Sequence, residues 1–238
     1  MQGNKERFLV IVPAYNEEAH ILDVIEDIRL GISFADILIV NDGSDDLTQT
    51  MALEKHVMVV SHPFNLGYGT ALQTGFRFAE ERGYDLVITM DADGQHVASS
   101  VDSLIATMNE HNADVVIGSR FLGGGYRIGF AKKAGIWLFS KIGKAYTGMR
   151  ITDPTSGYQI MNRRVFSFLA QKDNYPLDYP DVNIIMALHK MSFKLVEAPV
   201  KMLKSGRKES MHSGLKPFGY VIRMFLAILL VWTERQGR

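Results

Sequence analysis

Two carboxylates one residue apart, Asp91 and Asp93, close the apolar run Leu86-Val87-Ile88-Thr89-Met90, and Gly94 and the amide of Gln95 follow them. A strand that ends on paired oxygens sets hard ligands at a sheet edge. Mg2+ or Mn2+ is held in this way against a substrate that brings its own phosphates. Three further polar clusters end apolar runs: Pro13-Ala14-Tyr15-Asn16-Glu17, Asn41-Asp42-Gly43-Ser44 and Gly118-Ser119-Arg120. They supply an aromatic face, carboxylate acceptors and a cation. The chemistry this set points to is metal-assisted reaction of a phosphorylated donor.

Positioning those clusters requires alternating strands and helices. Strands are expected at Phe8–Val12, stopping at Pro13, and at Ile37–Val40, Val57–Val60, Leu86–Met90 and Val115–Ile117. Helical spacing of Ala19, Ile21, Leu22, Ile25 and Ile28 follows the first strand, and Ala71, Leu72, Phe76 and Ala79 mark a helix running to Gly83. Short, wholly apolar strands separated by helices predict an α/β fold, a mainly parallel central sheet flanked by helices in one domain. Ligands of such sheets bind outside the carboxyl ends of the strands, where each polar cluster falls. Beyond Arg120, Gly123-Gly124-Gly125 marks a loop. Helices are expected at Ile136–Tyr146, up to about Ala170 and at Val182–Lys190, with strands at Tyr158–Met161 and Lys194–Val200. Lys204–Gly214 is polar and basic, and reads as a mobile loop.

Composition narrows the classes. The 238 residues are 47% hydrophobic and 22% charged, enough for one sizeable globular domain. Lys plus Arg, 26, equals Asp plus Glu, 26, so no global charge draws nucleic acid and any anion site is local. The absence of cysteine removes disulfides, thiolate zinc sites and cysteine nucleophiles. Met1–Arg7 is polar, so export is not expected and a cytoplasmic location is. Phe218–Trp232 is almost wholly apolar, yet shorter than the ~20 residues of a membrane-spanning helix. It reads either as a core or homodimer helix, or as an interfacial helix at the membrane surface with Lys216, Arg223, Arg235 and Arg238 near lipid phosphates.

The stretches VPAYNEE, VNDGSDD, NLGYGTALQTGF, MDADGQH, GSR, DPTSGYQ and EAPV, followed by an Arg-x-x-Ser element at Arg207 to Ser210, in that order over roughly residues 8 to 210, resemble the inverting family 2 glycosyltransferases of the GT-A, Rossmann-like fold. Within that family they are most similar to dolichyl-phosphate mannose synthase and bacterial polyprenyl-phosphate glycosyltransferases. The resemblance implies a GT-A domain over 1–214, with a nucleotide-sugar half at about 1–120 and an acceptor half at about 121–214, and a separate apolar helix at 215–238. It implies a UDP- or GDP-sugar donor, a polyprenyl-phosphate acceptor and a reaction at the cytoplasmic face of a membrane.

Under that resemblance Asp91, Asp93 and Gln95 hold Mg2+ or Mn2+, and Asp91 with Ala92 lies near the donor ribose or sugar. Pro13, Tyr15, Asn16 and Glu17 hold base and ribose, and Asp42 accepts from a base N–H. Each has a plainer reading beside it. The Asp pair also makes an Asx-turn, Asn16 an N-cap with Glu17 at the positive helix end, and Asp42 a turn cap. Arg120, Lys132, Lys133 and Arg207 are the cations that could offset clustered phosphates, or solvated surface charges. Asp153 and Ser156 either orient the acceptor or shape a turn. A hydroxyl acceptor on a glycan or cell-wall polymer needs a general base, for which Asp181 stands ready, whereas a phosphate acceptor needs none. His96, His189 and His212 are further base candidates with structural or surface roles as the alternative. Two readings of other classes stand against a transferase: a catalytically silent nucleotide-binding domain, and a nucleotidyltransferase. The latter calls for a basic, Gly-rich loop after the first strand, and PAYNEE is acidic.

Overall fold

A computed structural model describes residues 6–123, 130–172, 174–175 and 182–203, with backbone alone for 130–134. Its strands are β1 (Phe8–Ala14), β2 (Ala35–Asn41), β3 (Met58–Ser61), β4 (Leu86–Thr89), β5 (Val115–Ser119), β6 (Gln159–Asn162) and β7 (Leu195–Pro199). The helices are α1 (Ile21–Gly31), α2 (Thr48–Glu54), α3 (Tyr68–Glu81), α4 (Val101–His111), α5 (Phe130–Thr147), α6 (Arg163–Ala170) and α7 (Val182–Lys190). Among the described residues the strands form one sheet in the order β3-β2-β1-β4-β6-β5-β7. All pairings are parallel except those of β6, which runs antiparallel between β4 and β5. The mainly parallel α/β sheet expected from the sequence is the observed one.

The all-apolar strands have partners on both faces. Val10 and Val12 pack with Ile25 and Ile28 of α1 and Leu104 of α4. Their neighbours Leu9 and Ile11 point the other way, onto Leu72 and Phe76 of α3 and Phe166 of α6. These four β1 residues are fully buried, and each contributes about 1.5–3 kcal/mol by leaving water. The helices follow from the same pattern: Ile21, Val24, Ile25 and Ile28 make one buried stripe of α1, and the Asn162 side chain caps α6 by accepting from the Val165 amide at 3.2 Å.

Some boundaries differ from expectation. β1 runs through Pro13 to Ala14 and pairs there with Val40 and Asn41. Ile11 gives its carbonyl to Met90, so the same-facing position 13 points to a side where β4 has already ended, and the missing proline N–H interrupts no ladder. Two helices lack a counterpart among the expectations. α2 buries only Thr48 and Ala52, whereas α4 carries a regular buried stripe of Val101, Leu104 and Met108.

β1 connects to β2 on one side and pairs with β4 on the other, so chain direction across the sheet switches beside β1. The crevice between the carboxyl ends of β1 and β4 is where open α/β sheets take ligands. At the opposite sheet edge lies a cleft of about 420 Å3 lined by Arg7, Arg29 and Arg82 among others. Two of its arginines close helix ends: Arg7 donates to the Arg82 carbonyl behind α3 at 2.8 Å, and Arg29 donates to that of Lys55 behind α2.

Candidate active site

The loops after β1 and β2 are laced to each other. The Asn16 amide donates to Ser44 Oγ at 3.0 Å, and Asn16 Oδ1 accepts from the Asp45 amide at 2.9 Å. The Glu17 amide donates to Thr48 Oγ1 at 2.8 Å, and Asp46 accepts from the amides of Glu18 and Thr48. Burial pushes the Asp46 carboxyl up, but hydrogen bonds from Thr48 and the two amides outweigh it and hold the group below its ordinary value. Asn16 adopts φ 54° and is not the N-cap of α1, which begins only at Ile21 after His20. Its amide side chain is taken up by the neighbouring loop instead. Glu17 is buried, with Oε2 3.1 Å from His20 Nδ1. Tyr15, beside these loops, is 42% exposed.

Asp42 is buried and turned into the 62–67 loop. Oδ1 meets His62 Nδ1 at 2.7 Å and accepts the Leu66 amide at 2.9 Å, and Oδ2 accepts the Gly67 amide at 2.8 Å. A carboxylate has about four acceptor positions, so one remains. Gly43, at φ 68°, makes this approach possible: a Cβ there would lie 2.4 Å from the Phe64 carbonyl carbon.

The β4 end is built differently. Asp91 keeps 32% of its side chain exposed. Its Oδ1 accepts from Tyr68 Oη at 2.9 Å, and its own amide donates to His96 Nδ1 at 3.0 Å. With Nδ1 accepting, the neutral ring carries its proton on Nε2, 3.5 Å from Asp91 Oδ2. Burial pushes the His96 pKa down, against the pull of Asp91 and Asp93. His96 stacks on Tyr158, with ring centroids 4.9 Å apart. Asp93 Oδ1 accepts from the Gln95 amide at 3.0 Å, and Oδ2 takes a hydrogen bond from Gln95 Nε2. The turn reading of this run therefore holds, while acceptor positions on both carboxylates stay open. Ala92 is buried between them.

Arg120 is buried, and its Nε lies 2.6 Å from Asp153 Oδ2. Asp153 is in turn held by Glu197, whose carboxylate accepts from the amides of Thr152 at 2.7 Å and Asp153 at 2.8 Å. Burial raises the Glu197 pKa, and these hydrogen bonds oppose the rise. Gly157 closes the turn against the β4 end: a Cβ there would meet Tyr68 Oη at 2.8 Å and Asp91 Oδ1 at 2.9 Å.

Pro13, Tyr15, Asn16, Glu17, Asp42, Asp91, Ala92, Asp93 and Gln95 thus gather on one sheet edge. Arg120 lies at the end of β5 on the same edge, bound to Asp153. Asp181, Arg207, His212 and the apolar tail lie outside the described residues, as do the side chains of Lys132 and Lys133. Sequence reasoning gave no role to Tyr68, His62 or Gly157, and none to Glu197 as the holder of the Asp153 turn. For Tyr68 a signal existed, its place in NLGYGT directly ahead of an amphipathic helix.

Among the described residues no three His, Asp or Glu side chains converge as a metal cage. Asp91 and Asp93 provide hard oxygen ligands of the type Mg2+ and Mn2+ prefer, leaving the remainder of a shell to water and phosphate. The donor set fits a cation shared with a ligand.

A model of the family described as glycosyl transferase family 2 matches residues 9–169. The undecaprenyl-phosphate mannosyltransferase of Micrococcus luteus is 30% identical over 219 residues, which cover 87% of this chain and 88% of that protein. The polyprenol monophosphomannose synthase of Mycolicibacterium smegmatis is 32% identical over 170 residues, 67% of this chain and 63% of that protein. Among solved structures, glucosyl-3-phosphoglycerate synthase from Mycobacterium tuberculosis in complex with Mn2+, UDP and glucosyl-3-phosphoglycerate superposes with a TM-score of 0.70 at 19% identity, covering 95% of this chain and 79% of that one.

Proposed function

We propose a donor, an acceptor and a division of labour for this chain, which belongs to glycosyl transferase family 2 and is a glycosyltransferase of the GT-A fold. It transfers a hexose from a UDP- or GDP-sugar to a polyprenyl phosphate, with inversion and with Mg2+ or Mn2+. The observation that carries the donor half is the meeting of Tyr15, Asp42, Asp91 and Asp93 at the β1–β4 switch point. The relatives named for undecaprenyl-phosphate mannosyl transfer and polyprenol monophosphomannose synthesis support the acceptor half.

Tyr15 offers its ring to the base, and the open acceptor position of Asp42 takes one base N–H. Pro13, Asn16 and Glu17 frame base and ribose through the loop they brace. Asp91 and Asp93 face the diphosphate, with Gln95 fixing the orientation of Asp93. A divalent cation held there would supply Lewis-acid stabilisation of charge on the leaving diphosphate. The acceptor phosphate oxygen forms its bond to the anomeric carbon as the bond to the diphosphate oxygen breaks, on the opposite face. That nucleophile is already anionic at neutral pH, so no general base is required and Asp181 positions the acceptor. Arg120 is committed to Asp153 and braces the acceptor side, and Arg207 would offset the charge of the acceptor phosphate. Residues 1–214 form the catalytic domain. The tail at 215–238 rests on the cytoplasmic face of the membrane. No helix among the described residues is long and apolar enough to cross one.

The test is transfer by the purified chain from UDP- and GDP-sugars, with undecaprenyl phosphate or a glycan as acceptor. Transfer to the lipid phosphate that disappears in Asp93→Ala is expected. Transfer to the glycan and never to the lipid phosphate would sink the acceptor reading.

A further inference from the structure

Tyr68 opens α3 at the point where the two halves of the donor edge meet. The amide before it, that of Gly67, is bound by Asp42 Oδ2 at 2.8 Å, and its own hydroxyl lies 2.9 Å from Asp91 Oδ1. The first turn of α3 therefore ties the β2 end to the β4 end. On its far side Asp91 is walled by His96, with Nδ1 on the Asp91 amide and Nε2 3.5 Å from Oδ2. His96 cannot drift, because it stacks on Tyr158, whose hydroxyl reaches the carbonyls of Val97 and Ala98 at 3.2 Å each. Gly157 fills the remaining side so closely that a Cβ would enter both the hydroxyl and the carboxylate.

We infer that Tyr68 is a positioning residue for the cation–diphosphate site: its hydroxyl fixes the rotamer of Asp91 from the first turn of α3. This rests on the reading of Asp91 and Asp93 as the diphosphate end of that site. A carboxylate held from two sides keeps its free oxygen sites aimed at the ligand, whereas a carboxylate released into solvent must be ordered again each time a cation binds. Outer partners of this sort are generally worth about 10–100-fold in metal affinity. Because the hydroxyl contacts the carboxylate and the link to Asp42 runs through the Gly67 backbone, removing the hydroxyl leaves the Asp42 side in place.

The experiment measures Mn2+ binding to the full chain, by electron paramagnetic resonance of free Mn2+, with saturating UDP or GDP. Tyr68→Phe is compared with wild type, and metal-free nucleotide affinity and melting temperature are measured alongside. The expected result is a Mn2+ Kd raised about tenfold, with metal-free nucleotide affinity and melting temperature unchanged. Gly157→Ala, which pushes on the same contact from behind, raises the Mn2+ Kd as well, and the double variant is less than additive. A Mn2+ Kd equal in wild type and Tyr68→Phe overturns the role of Tyr68 and leaves the donor-site reading intact. Wild type that binds neither UDP nor GDP in a metal-dependent way overturns the donor-site reading and this inference with it.

Discussion

The two ends of the donor edge hold carboxylates in opposite states. At the β2 end, Asp42 is buried, takes three donors, and is surrounded by loops whose polar groups satisfy one another. At the β4 end, Asp91 and Asp93 are partly exposed and keep acceptor positions open. A group enclosed in this way gives a fixed shape with little room for further contacts, which suits a neutral planar base under the proposed reading. A pair of oxygens left part-open retains its charge for a charged ligand. The same residue type does both jobs, and what differs is how many backbone N–H groups the surrounding turns direct at it.

Substitutions can break this contrast. Asp42→Ala leaves the amides of Leu66 and Gly67 and the ring of His62 without their acceptor. It is expected to lower unfolding free energy by about 3–5 kcal/mol, read from urea denaturation. Asp93→Ala removes an open oxygen pair. It is expected to reduce sugar transfer by more than about 100-fold, beyond the loss typical of outer partners, with the urea midpoint moved far less than by Asp42→Ala, since only the part-exposed turn bonds from Gln95 are lost. If Asp93→Ala destabilised the fold as much as Asp42→Ala, the contrast would fail. Tyr15→Ala removes an exposed ring, and stacking on a base is worth about 1–3 kcal/mol. Nucleotide affinity measured calorimetrically should fall about tenfold, without loss of stability.

The smallest effect concerns Glu197, on β7 at the edge of the sheet. Burial holds its carboxyl above the ordinary value of 4.5, so folding favours the protonated form. That contribution to stability is full below pH 4.5 and is lost as pH rises through the higher folded-state pKa. Glu197→Gln should flatten the pH dependence of the urea midpoint in that window. An unchanged slope would show that the hydrogen bonds from Thr152 and Asp153, which oppose the rise, prevail.

Much of this was legible in the chain. The runs that became β1, β2, β4 and β5 were unbroken apolar segments, and each ended in a polar cluster, because a strand buried on both faces must stop where polar groups start. α4 carried a readable signal, Val101, Leu104 and Met108 at helical spacing, yet it is absent from the expected elements. α2 was not, since two buried residues make no stripe. The lacing of Asn16 to Asp45 and of Glu17 to Thr48 was hidden for a different reason. Asn16 and Glu17 look locally like the start of a helix, and it is the neighbouring loop that takes their polar groups and delays α1 to Ile21.

The sequence by itself determined which residues stand at the strand ends, and hence the family and the kinds of polar group gathered on that sheet edge, because strand length and residue type are local properties. Only the tertiary structure decided which of those side chains are enclosed and which stay open. Arg120 meets a buried Asp153 at a separation of 33 residues, Asp42 meets the 62–67 loop, and at Gly157 there is no room for a Cβ beside Tyr68 and Asp91. Such contacts depend on the strand order that sets β3 beside β2 and β6 between β4 and β5, and no residue carries that order within its own neighbourhood in the chain.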